Sequence, residues 1–573
     1  MGRIGQAWAR VPWAGRVPGS VAAVFAVALA VRLLALAQLR GTAWNDVLLG
    51  DAAHFDAWGL RLAQGQSDRG TVFFQAPLYP YLLGALYKVF GHVPDLVRAL
   101  QCVGGAVAAA LVTSTTRRLA SGRAALCAGL FAALYAPAVW YDLQVEKTSF
   151  SLLLTAALLW WLVPRPDARN GWRRAAAAGV TVGALALLRE NALILALPVA
   201  WALGRGAGDR AARRRLWGAF AAALALCLLP VALHNLDAGG APLPTTSNAG
   251  VNFWIGNGEG ANGQYRELVP GRGDPAYEQQ DARRLAEQAT GRKLSPTGVS
   301  RFWLGRALTD IGAGPGRFAS LLAHKARLLV DRHEVMDAVS LEAFQDASWG
   351  LRALSPFSFG LLLPLAIAGF VAARRRPEAW PLAAAAALLA FSIVAFFVMG
   401  RFRLGLAPLL FPAVGMALDA ARGWRRERAA MALLVLVAVL AWWPGAAPGD
   451  PRAAAASNLA NEYLRRGDFP AAEKWAAEAW RRADGSAEAA YNLGLALRWQ
   501  GKFDQAQAPL QAAMRLQPAY APDCLAEVGA CRAGLGDLAG ARQALNEALR
   551  LRPGHEAARR YLALVEQGAA AGR

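Results

Sequence analysis

Two aspartates and a histidine follow the first long apolar run of the chain, in the stretch GDAAHFDAWG at residues 50–59. Asp51 and Asp56 supply carboxylates, and a positioned carboxylate can act as general base for a hydroxyl whose own pKa lies far above neutral. His54 offers a substrate contact or a metal ligand, although one histidine without further ligands is a weak metal signal. Asp56, Gln75 and Tyr79 are further candidate substrate contacts. A lone acid in a loop is most often only solvated, so its chemistry depends on what other loops bring to the same place.

Three other short segments between apolar runs carry acids and cations. Their charged residues are Asp142, Glu146 and Lys147 in YDLQVEKTS, Arg189 and Glu190 in LLREN, and Arg401 and Arg403 in GRFR. This set fits the transfer of a sugar from a polyprenyl phosphate to a hydroxyl, because one carboxylate can take the acceptor proton while cations stabilise the departing phosphate. The same cations could instead be interfacial anchors.

Apolar runs must bring these segments together. The chain has 573 residues, of which 55% are hydrophobic, and a bilayer is spanned by roughly 20 apolar residues. About eleven spans are predicted, at 19–38, 95–116, 122–141, 148–163, 174–188, 191–204, 215–234, 356–373, 380–399, 403–420 and 430–446. Only REN separates the fifth and sixth, so the 174–204 region is either two spans or one broken span.

The net charge of +21 would indicate nucleic acid in a soluble protein. Here the arginines, including Arg3, Arg10 and Arg16, concentrate in alternate short loops, which indicates anionic lipid as the partner and no nucleic acid. This bias predicts a cytoplasmic N-terminus and places the segments 39–94, 235–355 and everything after 446 outside the cytoplasm. ALA at 35–37 also fits a cleaved signal peptide, which would leave the orientation of the rest unchanged.

The first outer loop continues with APLYPYLLGALYKVF, whose pattern predicts a helix lying on the membrane surface. Tyr79, Tyr81 and Tyr87 are expected to anchor this helix at headgroup depth. Arg32 lies inside the first span, where an arginine costs roughly 2.5 to 3.5 kcal/mol, so it should pair with an acid or the donor phosphate, or reach the surface.

The large outer loop contains SNAGVNFWIGNGEGANGQY at 247–265. GEGANG follows the strand-like VNFWI, but no βαβ unit surrounds it, which excludes a dinucleotide site. Asn252 and Asn257 could hydrogen-bond sugar hydroxyls and Trp254 offers an apolar face; a plain turn is the alternative. Later stretches predict helices, one of them with Ser295 as N-cap, so this loop should fold into a cap.

A 34- to 35-residue period begins near residue 457. It aligns Gly467, Gly501 and Gly536, then Ala472, Ala506 and Ala541, then Ala479, Ala513 and Ala548. The pattern resembles tetratricopeptide repeats, three copies and a closing helix near 554–567. The resemblance implies an α-solenoid over 457–567 that binds a protein or peptide partner, joined by a linker at 447–456 to a membrane domain at 1–446.

The ordered motifs GDAAHFDAW, FQAPLYPYLLGALYKVFG, YDLQVEKTSF, LLRENALILALP, TTSNAGVNFWIGN and GRFRLGLAPLL resemble the GT-C membrane glycosyltransferases. The likeness is to the bacterial branch of family 39, which includes protein O-mannosyltransferase relatives. It implies an all-α polytopic domain in which the acid opening the first outer loop, here Asp51, is the base. Glu146 resembles the second-loop acid, which orients the acceptor or assists the base.

Two departures from the family pattern affect the expected site. Ala52 replaces the second acid of the family's Asp-Glu pair, which leaves a divalent metal open; no other cofactor is expected. Gln75 stands near the place where some relatives carry a donor-phosphate lysine. We therefore expect other cations to bind the donor phosphate, namely Lys147, Arg189, Arg401 and Arg403.

The sequence thus predicts a bacterial inner-membrane glycosyltransferase that moves a hexosyl or pentosyl group from a polyprenyl phosphate to an extracytoplasmic protein or glycolipid hydroxyl. One alternative is an oligosaccharide ligase or polymerase using a diphosphate-linked glycan. Another is a non-catalytic scaffold whose spans anchor the repeats. A transporter is less favoured, since its charges would collect at mid-membrane.

Overall fold

The computed structural model describes most of the chain. The described residues are 18–68, 70–163, 171–205, 207–269, 272–273, 275–423, 427–444, 449–483 and 485–571. Regular structure within these ranges is entirely helical, which confirms the predicted all-α class. Arg3, Arg10 and Arg16, used above for the orientation, lie outside them.

The chain divides into two compact units. The first contains the apolar helices and most of the outer segments. The second contains the C-terminal helices together with Gly41–Leu49 and Ala338–Ala343.

Twenty-two α-helices precede the C-terminal array in the described part of the chain. They are α1 (Gly19–Leu39), α2 (Ala43–Asp46), α3 (Asp51–Ala63), α4 (Leu78–Phe90), α5 (Pro94–Thr116), α6 (Gly122–Leu134), α7 (Ala136–Asp142), α8 (Thr148–Leu162), α9 (Trp172–Ala186), α10 (Ala196–Arg205), α11 (Arg210–Asp237), α12 (Ala249–Asn257), α13 (Pro275–Thr290), α14 (Pro296–Ala313), α15 (Pro315–Val330), α16 (Leu341–Ala347), α17 (Trp349–Ala353), α18 (Phe359–Ala372), α19 (Trp380–Ala395), α20 (Gly400–Arg403), α21 (Ala407–Ala420) and α22 (Arg428–Trp442).

The chain is an integral membrane protein. Among the described residues, α1, α5, α11 and the run from α20 through α21 are long and apolar enough to cross a bilayer, and α6 with α7 forms a pair bent by 48°. The helices α8, α18, α19 and α22 are apolar but shorter. A 3-10 turn at Glu190–Leu195 separates α9 from α10. The number of eleven spans stays a prediction.

Arg32, in the middle of α1, is paired. Its Nε donates to Asp142 Oδ2 at 2.7 Å, and the two side chains are 1% and 0% exposed. Gly105 on α5 lies against this pair, because a Cβ there would come within 1.9 Å of Asp142 Oδ2. Grouping Asp142 with the outer-loop acids was therefore wrong: it ends α7 inside the protein, where a buried arginine requires a carboxylate.

The outer helices α3 and α4 pack closely through glycines. A Cβ on Gly59 would meet Leu83 Cβ at 2.6 Å, so the helices approach each other almost backbone to backbone. The predicted helix after Pro77 is confirmed as α4. Its expected anchors are partly wrong, since Tyr79 and Tyr87 are 0% and 3% exposed within the protein and only Tyr81, at 44%, faces outward.

The large outer loop folds into the helices α12 to α15. Ser295 caps α14 by accepting a hydrogen bond from the Gly298 amide at 3.2 Å, which confirms that prediction. The strand-like reading of VNFWI was wrong, since these residues lie in α12. Gly250 and Gly256 explain the helix: Cβ atoms there would strike the carbonyl oxygens of Ser300 and Phe396, so tertiary packing overrides the local β preference.

The C-terminal part of the second unit contains seven α-helices in its described residues. They are α23 (Pro451–Arg466), α24 (Phe469–Arg482), α25 (Ala487–Trp499), α26 (Phe503–Leu516), α27 (Ala521–Gly534), α28 (Leu538–Leu551) and α29 (Glu556–Ala571). Successive helices pack on one another. Gly467, Gly501 and Gly536 have φ between 75° and 84° at the turns inside the hairpins, a conformation that favours glycine. The aligned alanines are all fully buried.

Candidate active site

Arg401 lies at the centre of the charged cluster. Its Nη1 donates to Asp51 Oδ2, contacts Asp337 Oδ2 at 2.6 Å and lies 3.7 Å from Glu146 Oε1. The guanidinium is only 13% exposed, so these contacts form largely away from water. Segments far apart in sequence thus converge on one cation, and Asp51, Glu146 and Arg401 are brought together as the sequence predicts.

Asp51 is positioned by the start of α3. Gly50, with φ of 55°, turns the chain directly before it, and the Gly50 carbonyl accepts from the His54 amide at 3.1 Å. Burial raises the pKa of Asp51, but the charges of Arg401 and Lys147 outweigh burial and hold that pKa below its ordinary value. Asp51 is therefore a carboxylate at neutral pH.

Lys147 stands beside Asp51 from the second outer segment. Its Nζ lies 5.1 Å from the centre of the Phe55 ring, one helical turn after Asp51. Burial lowers the pKa of Lys147, against the opposing charges of Glu190 and Asp51. A buried ammonium next to a carboxylate can bind a second anion.

Arg189 completes the cationic side of the cluster. Its Nη2 donates to Thr148 Oγ1, and the same hydroxyl donates to Glu146 Oε2. Arg189 Nε and Nη1, and Arg401 Nε, are buried and have no hydrogen-bond partner among the described residues. Orphaned guanidinium N–H groups in a buried site suggest an anionic ligand, since such donors are otherwise satisfied.

Two acids of the cluster were missed by sequence reasoning. Burial raises the pKa of Asp337 to about 6, even though Arg401 opposes the shift. Burial and the charge of Asp51 raise the pKa of Glu278 to about 7. Both acids come from the large outer loop, where no local sequence pattern distinguishes them from other acids. The helices predicted in this loop indicate that it folds, but not that it reaches the site.

Arg403 is not part of the cluster. It is fully buried, pairs with Glu334 at 2.8 Å and donates to the carbonyls of Asp331 and His333 at 2.6 and 2.7 Å. These contacts occupy both terminal nitrogens, while Nε is buried without a partner among the described residues, so the terminal nitrogens favour a structural role over the donor-phosphate role predicted for it.

Most residues of the first outer loop that were expected to contact substrate instead contact other residues of the protein. Asp56 accepts from the Tyr87 hydroxyl at 2.6 Å and faces His92 at 2.9 Å. Tyr79 donates to Gln101 at 2.8 Å. His54 packs edge-on against Trp58, while its charge contributes to the low pKa of Asp51. Gln75 Oε1 is buried without a hydrogen-bond partner among the described residues.

The sugar contacts expected from the large loop are also mainly structural. Asn257 is fully buried and accepts from Lys325 Nζ at 2.7 Å. Trp254 donates to Asp310 at 3.0 Å and packs on Trp303. Asn252 is partly exposed on α12 and remains a candidate contact.

No group of three or more histidine, cysteine or acidic side chains forms a metal-binding set within the described residues. The acids around Asp51 converge on a guanidinium instead, which already supplies the positive charge a divalent cation would bring.

A cavity of about 820 Å³ opens along α13, the helix that carries Glu278. Cationic and amide side chains dominate one wall: Gln279, Gln280, Arg283, Arg284, Gln288, Arg292 and Lys293. Arg284 pairs with Asp281, and Glu287, the acid that also lines the cavity, interacts with both Lys293 and Arg283. The cavity favours an anionic, hydroxyl-bearing ligand.

Comparisons with known proteins identify the membrane part. Residues 74–234 match the family model described as dolichyl-phosphate-mannose-protein mannosyltransferase. The matched segment resembles the GT-C glycosyltransferases. The predicted resemblance is confirmed, and the match includes Lys147 and Arg189 but neither Asp51 nor Arg401. Curated proteins give no match.

Solved structures similar to this chain have low sequence identity to it and low TM-scores. ArnT from Cupriavidus metallidurans bound to undecaprenyl phosphate is 15% identical over 86% of this chain and 79% of its own, with a TM-score of 0.39. The archaeal oligosaccharyltransferase AglB from Archaeoglobus fulgidus, in complex with an inhibitory peptide and a dolichol-phosphate, is 14% identical over 79% of this chain and 59% of its own, with a TM-score of 0.38. The first TPR of Spaghetti (RPAP3), bound to an HSP90 peptide, is 22% identical over 21% of this chain and 94% of its own, with a TM-score of 0.20.

For a membrane glycosyltransferase, the cluster has the required chemical parts. One ionised carboxylate lies beside a buried cation, and further buried guanidinium donors of Arg189 and Arg401 have no acceptor among the described residues. Such a site can accept a proton on one side and stabilise a departing anion on the other.

Proposed function

We propose that this protein transfers a sugar from a polyprenyl monophosphate to an acceptor hydroxyl outside the cytoplasm, with Asp51 as general base. The observation that carries the proposal is Arg401, which contacts Asp51 while its Nε, together with two nitrogens of Arg189, has no acceptor among the described residues. Buried guanidinium N–H groups without acceptors fit a site that receives a phosphate.

The resting contact between Asp51 and Arg401 suggests how the base is activated. A carboxylate whose pKa is held low by a guanidinium is a weak base. The phosphate of an arriving donor competes for the same guanidinium. As Arg401 turns toward the phosphate, Asp51 loses its strongest counter-charge and becomes more basic, so donor binding prepares the base.

The transfer step then balances as a single displacement. The acceptor oxygen attacks the anomeric carbon while its proton moves to Asp51. The bond from that carbon to the phosphate oxygen breaks, and its electron pair leaves with the lipid phosphate. Lys147 and Arg189 stabilise that anion, and Glu146 orients the acceptor; the resemblance implies inversion at the anomeric carbon.

The cavity along α13 is the proposed acceptor entrance. Glu278 is close enough for its pKa to be raised by burial and by the charge of Asp51. Gln279 and Gln280 follow it on the helix and line the cavity, and Arg283 lies about 7 Å further along the axis. An acceptor bearing phosphate or carboxylate groups would be held here while its hydroxyl reaches Asp51.

The proposed location is the bacterial inner membrane, with this site and the repeat unit on the outer side. The arginine bias of the loops supports the orientation. The 34- to 35-residue period and the glycine turns support tetratricopeptide repeats, which would bind a protein or peptide partner.

The test uses purified protein in vesicles with sugar donors carried on a polyprenyl monophosphate or a polyprenyl diphosphate. Transfer from the monophosphate to an envelope extract, detected as a mass increase on glycolipid or protein, is expected. Arg189→Gln should raise the donor KM, whereas Arg374→Gln, which removes an exposed pair with Glu427, should not. Transfer only from the diphosphate would support the ligase alternative, and absence of transfer from both would support the scaffold.

A further inference from the structure

The second unit contains more than the C-terminal helices. It also includes two short segments from the outer loops, which we term the first strap (Gly41–Leu49) and the second strap (Ala338–Ala343). Each strap adjoins an acid of the Arg401 cluster. Gly50 alone separates the first strap from Asp51, and a single peptide bond joins the second strap to Asp337.

The first strap is held by α24. Trp44, 9% exposed, meets the ring of Trp475 edge to face with centroids 5.4 Å apart. Trp475 in turn packs against the buried cluster of Ala456, Ala479 and Ala489. Such an aromatic pair contributes about 0.5–1.5 kcal/mol beyond its buried area. The strap is therefore continuous with the repeat core.

The second strap is held by α23. Asn458 Nδ2 donates to the carbonyl oxygen of Ala338 at 2.8 Å, directly after Asp337. Ser340 is 1% exposed and caps the following helix by accepting from the Ala343 amide at 3.1 Å. The attachment lies one residue from a carboxylate that contacts Arg401.

Gly50 connects the first strap directly to Asp51. Its φ of 55° and ψ of −128° form a conformation suited to glycine, and it is the residue from which α3 starts. A shift of the strap must pass through this single residue to the first helical turn. Asp51 lies in that turn, and Gly50 is the single residue between Asp51 and the strap.

We propose that the repeat unit positions the active site: its first two helices hold the straps that set Asp51 and Asp337 on either side of Arg401. Trp44 and Asn458 are then positioning residues. The inference rests on the proposed function. A partner bound to the repeats could then affect Asp51 through the first strap, which is continuous with it in the chain.

The test compares full-length Trp44→Ala and Asn458→Asp with Trp44→Phe, which keeps an aromatic ring. Trp499→Ala is the control, because it removes an aromatic ring of the same unit that stacks on Phe469. Hydrogen exchange of the His54 amide, which bonds to the Gly50 carbonyl, reports the first turn of α3 without requiring turnover.

Exchange at His54 should accelerate by about tenfold or more in the strap variants, be largely restored by Trp44→Phe and stay unchanged in the control. In the transfer assay, kcat should fall and its pH profile should gain an acid limb, since Asp51 moves away from Arg401. Faster exchange within residues 41–49 with no change at His54 would overturn the inference. Absence of transfer by the wild type would refute the proposed function while leaving the exchange result intact.

Discussion

Replacing Asp51 by asparagine tests the base with minimal change of shape. The amide keeps an oxygen that can accept from Arg401, while Arg401 retains Asp337 at 2.6 Å and Glu146 at 3.7 Å. The ion pair becomes a hydrogen bond from a charged donor to a neutral acceptor, a loss of about 1 kcal/mol of stability. The variant should therefore insert and fold.

The effect on transfer should be much larger. A positioned general base contributes about 10²- to 10⁴-fold to a rate, which corresponds to roughly 2.7 to 5.5 kcal/mol of activation free energy. The donor KM should stay constant or fall, because the phosphate no longer competes with a carboxylate for Arg401. A large loss of kcat without a rise in donor KM separates loss of the base from misfolding.

The assay follows transfer of labelled sugar from a polyprenyl monophosphate in vesicles, with thermal unfolding measured on the same preparations. Asp95→Asn is the matched control, because Asp95 pairs with Arg98 at 2.7 Å away from the cluster. Asp51→Asn turnover within threefold of wild type would refute the assignment of Asp51 as base.

Three further predictions concern the acids and cations of the first unit. Since burial raises the pKa of Glu278 from 4.5 to about 7, the native state loses stability as the pH rises through that interval. Glu278→Gln should therefore add up to about 3 kcal/mol of stability at pH 8 and little at pH 4; equal gains at both would contradict it. Arg283→Ala combined with Arg292→Ala should raise the KM of an anionic acceptor with donor KM unchanged, and an unaltered acceptor KM would remove the cavity from the mechanism. Arg32→Leu should cost about 3–5 kcal/mol in detergent unfolding, and adding Asp142→Leu should recover most of it; additive losses would refute the pairing argument.

The helices and the main acids could be predicted because their signals are local. Apolar runs mark the long helices, and the repeat glycines recur at turns that need positive φ. Asp51, Glu146 and Arg401 could be grouped because each ends an apolar run on the side that the arginine bias assigns to one face.

The sequence predictions fail where the direction of a side chain, and not its position in the chain, determines its role. Arg401 and Arg403 are two residues apart on one helical turn, so their side chains point to different sides, one to the cluster and one to Glu334. Asp142 and Glu146 share a short segment, but the end of α7 turns Asp142 inward toward Arg32. Asp337 and Glu278 come from a loop in which no periodic sequence pattern indicates where the residues pack in the folded protein.

The pairing of Arg32 with Asp142 has a consequence for biosynthesis. The two residues are 110 positions apart, and a ribosome adds about 5–20 residues per second, so the arginine waits roughly 5 to 20 s before its carboxylate is made. During that interval α1 carries an unmatched cation in the lipid. The first helix should therefore linger beside the translocation machinery until α7 arrives, and insertion of this chain should proceed by helix pairs instead of one helix at a time.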